Sequence, residues 1–203
     1  MSRSIRSWKN ATIAGLAAVA AATTAAKPAH ALIHWLLDKN LIVSAMEAID
    51  AKQGQAGVEQ AVRAIAARTG VPYDQLQGLA ARASGWQGLA CKWQHTTCRD
   101  EDQVKAAMVA LGDDAKRRTV IEETINVAER LDVNPDAVQL MRAANGSIDA
   151  CRGLTKEDEL AGNGLSDEFY MGFAGTLNDA RQMAGLQVRA YDVADLKESY
   201  PER

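Results

Sequence analysis

Aromatic residues are scarce in this chain: Phe, Trp and Tyr together make ten of its 203 residues. Glycoside hydrolysis needs a desolvated carboxyl beside a groove lined with such rings, and ten leave little to line one. No segment shows the alternation of apolar and polar residues that a half-buried strand requires, which argues against a sheet. A cytosolic redox site and a c-type haem attachment both drop out, because neither C-x-x-C nor C-x-x-C-H occurs among the three cysteines. Gly162-Asn163-Gly164 is too short and isolated for a phosphate loop. Asp132-Val133-Asn134-Pro135-Asp136 starts like a calcium loop, but Ala137 and Ala143 stand where the glycine and the closing glutamate belong. No cofactor is expected.

Net positive charge is also missing from most of the chain. Arg3, Arg6, Lys9 and Lys27 precede Leu32 with no acid among them, and the remainder holds 19 basic against 26 acidic residues, about −7. A body that acidic is a poor partner for nucleic acid. Lys116-Arg117-Arg118 does not alter this, being flanked by Asp113, Asp114, Glu122 and Glu123. The basic start, the uncharged run 11–22 and Ala29-His30-Ala31 together have the form of a secretory signal peptide over 1–31. Residues 11–26 are only 16 long, short of the roughly 20 that cross a bilayer, so a retained anchor fits less well. Nothing after them is apolar for long enough to span a membrane. The short alanine-rich leader has a bacterial style, so the expected location is the periplasm or the medium.

What is present is helical period. Residues 32–53, 58–69, 73–83, 100–111, 115–131, 135–144 and 166–185 each carry an apolar stripe or a capping residue. The expected fold is therefore all-α: a small bundle of short antiparallel helices in a single domain over 32–200. Breaks are expected at 54–57, at Asn145-Gly146 and at 161–164, and Thr155 opens a weak turn of helix through Leu160. The stretch 86–99 has no evident period and reads as a compact loop. One hairpin is expected twice in the sequence pattern, as repeats 58–98 and 120–160: Arg68-Thr69-Gly70-Val71-Pro72 can be laid over Arg130-Leu131-Asp132-Val133-Asn134, and both continue through alanines to a cysteine.

In an oxidising compartment the cysteines should pair. Cys91 and Cys98 enclose a short loop and are the favoured disulfide, leaving Cys151 as a second or intermolecular thiol; bonds from Cys151 to either of the others are the alternatives. A zinc reading of Cys91, His95, Cys98 and Cys151 competes, but C-x3-H-x2-C is not a usual knuckle spacing. Glu122, Glu123 and Glu129 are the acids to weigh for a wall-cleaving hydrolase, and they sit in an ordinary solvated helical pattern. His34 reads as packing. With no catalytic constellation, the functional expectation is an exported helical protein that binds another protein or itself, as an adaptor or accessory subunit of an envelope or secreted assembly. The alternatives are a hydrolase with a scattered carboxylate site and a membrane-tethered factor. The expected interaction face is the first helix, where Ile33, Trp35, Leu36 and Leu37 cover more of the circumference than one stripe needs.

Overall fold

Trp35–Thr69 forms the first helix, α1, and the fold is arranged around its N-terminal half. The structure, a computed structural model, describes residues 35–154, 158 and 161–197. From residue 35 to residue 50, only Lys39 of α1 is not buried. A helix lying on one neighbour needs a single apolar stripe, whereas an enclosed helix is apolar all round. Enclosure explains Leu36, Leu37, Leu41, Ile42, Val43, Met46 and Ile49, and it overturns the expected interaction face. Trp35, Leu36 and Leu37 are 4, 4 and 0 % exposed, so they are core and not a partner surface. Ile33, His34 and the leader fall outside the described residues.

The break expected at 54–57 is a kink within α1. Gly54 takes φ 70° and ψ −171°, a conformation that essentially only glycine adopts. Beyond it α1 buries one side only, through Gly57, Val58, Ala61, Val62 and Ile65. The chain then makes one turn of helix, α2 (Tyr73–Leu76), and a 3-10 turn (Gln77–Ala80), followed by α3 (Gly85–Trp93), α4 (Glu101–Leu111), α5 (Asp114–Arg130), α6 (Pro135–Cys151), α7 (Asp167–Met183) and α8 (Val193–Lys197). α1 packs most extensively on α5, and α6 on α7. The core is continuous from Trp35 to Leu196. Among the described residues there is no strand, only an isolated bridge between Arg82 and Arg99, and no helix is long and apolar enough to cross a membrane. The protein is an all-α bundle.

Local chemistry accounts for most helix starts. The side chains of Asp100, Asp113, Asn134 and Ser166 accept from the backbone N–H of Gln103, Ala115, Asp136 and Phe169, and Pro135 opens α6, where its missing N–H costs nothing. The turn expected at Asn145-Gly146 does not form. α6 runs through it because Met141, Ala144, Asn145, Ile148 and Cys151 continue one buried face, and that packing outweighs the roughly 1 kcal/mol by which glycine disfavours a helix. The turn expected at 155–160 lies outside the described residues apart from Asp158.

The two copies of the hairpin share their turn. Gly70 and Asp132 are both left-handed, at φ 69° and 58°, and the valine after each is buried. Beyond the turn they part: α2 stops after four residues, whereas α6 continues for 17. Past the turn, similar sequence is held in different folds.

Candidate functional site

The segment expected to be a loop over 86–99 begins as a helix, α3 (Gly85–Trp93). None of its residues is buried. Trp86, Leu89 and Trp93 recur at three- and four-residue steps and so share one face, 69, 45 and 67 % exposed. The two indoles meet edge to face, with centroids 5.4 Å apart. Cys91 and Cys98 are joined by a disulfide, and the segment after α3 is pinned to the body by backbone bonds from Ala83 N to Cys98 O (3.1 Å) and from Asp100 N to Ala81 O (3.0 Å). A helix with no buried side chain is thus held by covalent and backbone links at its C-terminal end.

The opposite face of α3 forms one wall of a cleft of about 640 Å³. Gln87, Ala90, Cys91 and Gln94 line it together with residues 187–190, where Gln187 Nε2 donates to Gln94 O at 2.8 Å, and Thr97, Arg99, Glu101, Asp102 and Arg181 also line it. Beneath lies a buried ionic network built on α1. Glu47, wholly buried, accepts from Arg99 N (3.1 Å), Arg181 Nη1 (2.5 Å) and Arg189 Nη2 (2.7 Å). Asp50 accepts from Arg99 Nη2, and from Arg82 Nη2 and Nε at 2.5 and 3.1 Å. Glu101 accepts from Lys39 Nζ (2.5 Å) and Arg189 Nη1. Burial lowers the Arg99 guanidinium to about 10, partly offset by Glu47. Burial also opposes the charge on Arg189 and Glu101, but there the partners win. Glu47 and Glu101 hold Arg189 above its ordinary value, and Lys39 and Arg189 hold Glu101 below its own.

A second network closes the other side of α1. Arg152 reaches Asp38, Asp114 and Asp149 at 3.1, 2.8 and 2.7 Å, and Arg118 bonds Asp149 and Glu122. Asp38 is fully buried, and burial pushes its carboxyl up to about 7 despite Arg152 and Arg117. Arg152 moves upward too: burial would lower it, but Asp38 and its other carboxylate neighbours outweigh that. The two shifts are consistent, since Arg152 meets three acids at bonding distance while Asp38 has one such cation and Arg117 only at 3.9 Å. Asp38 lines neither the cleft beside α3 nor the one at 132–135.

Comparisons with protein-family models, curated proteins and solved structures find no match.

The other residues singled out from sequence are scattered. Cys151 is a free, buried thiol on α6 that donates to Ile148 O at 3.1 Å. Burial, aided by the charge of Asp38, pushes it up to about 11, so it stays protonated and is enclosed where an intermolecular thiol would have to be exposed. Of the four residues weighed for zinc, Cys91 and Cys98 are bonded to each other, and no cluster of three metal-ligating side chains occurs among the described residues. Glu122, Glu123 and Glu129 pair with Arg118, Arg130 and Arg142 along helix surfaces. Sequence reasoning missed Glu47, Asp50, Arg99, Arg181 and Arg189. One signal was available: Glu47 and Asp50 interrupt the most apolar helix of the chain, where an acid must find a cation or lose its charge.

Proposed function

We propose that this is an exported helical protein that works by binding another protein, and that the outward face of α3 makes the contact. The observation that supports the reading is the exposed Trp86–Leu89–Trp93 row on a helix held in place without burying any of its own side chains. Tryptophan is over-represented among the few residues that dominate binding energy, and a rigid mount reduces the entropy lost on docking. Charge selects the kind of partner. Residues 75–99 hold no Asp or Glu, although the body is strongly acidic, and exposed Lys92 stands beside Trp93. The complementary surface is an apolar pocket with an acidic rim. Export, expected from the leader, agrees with a disulfide in this segment.

The test is a photo-crosslinking residue at position 89 in the native host. It should yield one discrete adduct with a different protein. The adduct should be absent from the Trp86→Ser/Trp93→Ser variant, whose melting should match the parent because neither ring is buried. Rebound to the purified partner, each single variant should weaken affinity by roughly 30-fold, the equivalent of about 2 kcal/mol. Adducts only with itself, or binding only to anionic vesicles, would refute this reading.

A further inference from the structure

We infer that residues 188–190 offer an unpaired backbone edge to the cleft beside α3, and that its ligand is an extended, non-acidic peptide segment of another protein, added as a strand. This goes beyond the partner-binding reading, which rests on the outward face of α3.

Residues 186–192, between α7 and α8, run without helix, turn or bend. Both main-chain groups of Arg189 meet one side-chain amide: Arg189 N donates to Asn178 Oδ1, and Asn178 Nδ2 donates to Arg189 O, each at 2.9 Å. In extended backbone the N–H and C=O of one residue face the same side, and those of its two neighbours face the opposite side. Asn178 therefore stands where a neighbouring strand would pair with one edge. On the other edge, the N–H and C=O groups of Val188 and Ala190 bond nothing among the described residues. The side chains alternate in agreement. Val188 and Ala190 are exposed, whereas Arg189 turns inward to Glu47 and Glu101 and the Tyr191 hydroxyl is buried.

Position and charge point to the ligand. Residues 187–190 line the cleft and Asn178 does not, which puts the cleft on the side of the unpaired edge. The edge is also held in place: Arg181 Nε donates to Gln187 O at 2.9 Å, and the Gln187 side chain reaches Gln94 O on the far wall. A fixed edge with free main-chain donors and acceptors is what strand addition uses, and rigidity lowers the entropy lost on binding. The cleft volume of about 640 Å³ falls within the roughly 300–1,000 Å³ typical of ligand sites. Among its charged lining residues, Arg99, Arg181, Arg189 and Glu101 are engaged in ion pairs. Asp102 is exposed and has no ion pair among the described residues, so an acidic strand would be repelled and a basic end would be paired.

The experiment uses the full mature chain and three synthetic probes. One is a hexapeptide of alternating Thr and Val with Lys at both ends; the second has Glu at both ends; the third is the Lys-ended peptide N-methylated at its central residues. In an NMR titration the Lys-ended peptide should shift the amides of Val188 and Ala190 and slow their hydrogen exchange about tenfold. The Glu-ended peptide should bind about fivefold more weakly, the effect of one exposed ion pair, and Asp102→Asn should erase that difference. Ala190→Pro removes an N–H that bonds nothing in the chain, so it should weaken the Lys-ended peptide about tenfold with an unchanged melt. Val188→Thr keeps the backbone and should bind like the parent, as should the Trp86→Ser/Trp93→Ser variant, which separates this site from the outward face of α3. If Ala190→Pro fails to fold, the N-methylated peptide makes the same comparison from the ligand side. The inference is overturned if the Lys-ended peptide binds more weakly than ~10 mM, if N-methylation leaves its affinity unchanged, if its shifts fall elsewhere than 188 and 190, or if this edge pairs with a second copy of the chain.

Discussion

Glu47→Gln is the most informative single change. The carboxylate is fully buried on α1 and holds three donors: Oε1 accepts from Arg99 N and Arg189 Nη2, and Oε2 from Arg181 Nη1. Glutamine keeps the size but removes the charge, and either orientation of its amide turns an N–H toward a donor. Removing one member of a buried ion pair costs about 3–5 kcal/mol, chiefly because the remaining charge is left buried without compensation. Against a total stability of about 5–15 kcal/mol that is a large fraction, and it should lower the melting temperature by about 10 °C. Arg181 and Arg189 lie 134 and 142 residues from Glu47 in sequence, so the loss should also appear as faster amide exchange over 181–191. Urea denaturation with hydrogen exchange measures both effects. The surface variant Glu122→Gln, whose partner Arg118 is half exposed, should lose no more than about 1 kcal/mol. If Glu47→Gln costs no more than that control, the network is not the fastener described above. In the double variant Glu47→Leu/Arg181→Leu the loss should be smaller than the sum of the two single changes, because each removes the other's stranded charge.

Two further changes test the burial of α1, and a third tests the disulfide. Leu36→Asp should unfold the domain, since forcing a carboxylate into the core costs several kcal/mol; circular dichroism showing an unaltered melt would mean that this turn is not core. Asp38 sets a pH dependence: its carboxyl is raised to about 7 from an ordinary 3.8, so between those values the folded state keeps a proton that the unfolded state has lost. The stability it contributes is full below the lower value and disappears as pH rises through the higher one. Relative to Asp38→Asn, the parent should therefore lose about 2–3 kcal/mol between about pH 5 and about pH 8; a parallel profile for the two proteins would contradict the shift. Replacing Cys91 and Cys98 by serine should cost roughly 2.5 kcal/mol, the loop-closure value for eight residues; an unchanged urea midpoint would show that the backbone bonds at Ala83 and Asp100 suffice to hold the segment.

Local features were legible in the sequence because their causes are local. The caps at Asp113 and Ser166, the opening of α6 at Pro135 and the left-handed turn at Gly70 each depend on two or three neighbouring residues. Two misreadings came from judging a segment without its packing. Asn145-Gly146 has the composition of a turn but belongs to a helix whose buried face continues past it. The apolar excess of α1 suggested an outside partner, while the partners were α4 to α8 of the same chain. The helical spacing of Trp86, Leu89 and Trp93 was present in the sequence, but in a segment with two cysteines and an internal glycine it did not stand out. The ionic networks were the least legible, since Glu47 meets residues 52, 134 and 142 positions away. No window of sequence contains such a pairing.

Stability alone does not account for the chemistry placed around α3. Buried ion pairs add little net stability compared with well-packed apolar residues of similar size, and the first half of α1 already contributes ten residues to the apolar core, from Trp35 to Ile49. Yet five cations are gathered around Glu47, Asp50 and Glu101, and α3 itself buries nothing. A segment that contributes no side chain to the core would fray if it relied on packing. Here the disulfide and the Ala81–Asp100 and Ala83–Cys98 backbone bonds hold it instead. The same links leave one face of α3 free for an apolar contact and fix another as a wall of the cleft. Both surfaces therefore depend on the disulfide and the backbone bonds at the C-terminal end of α3.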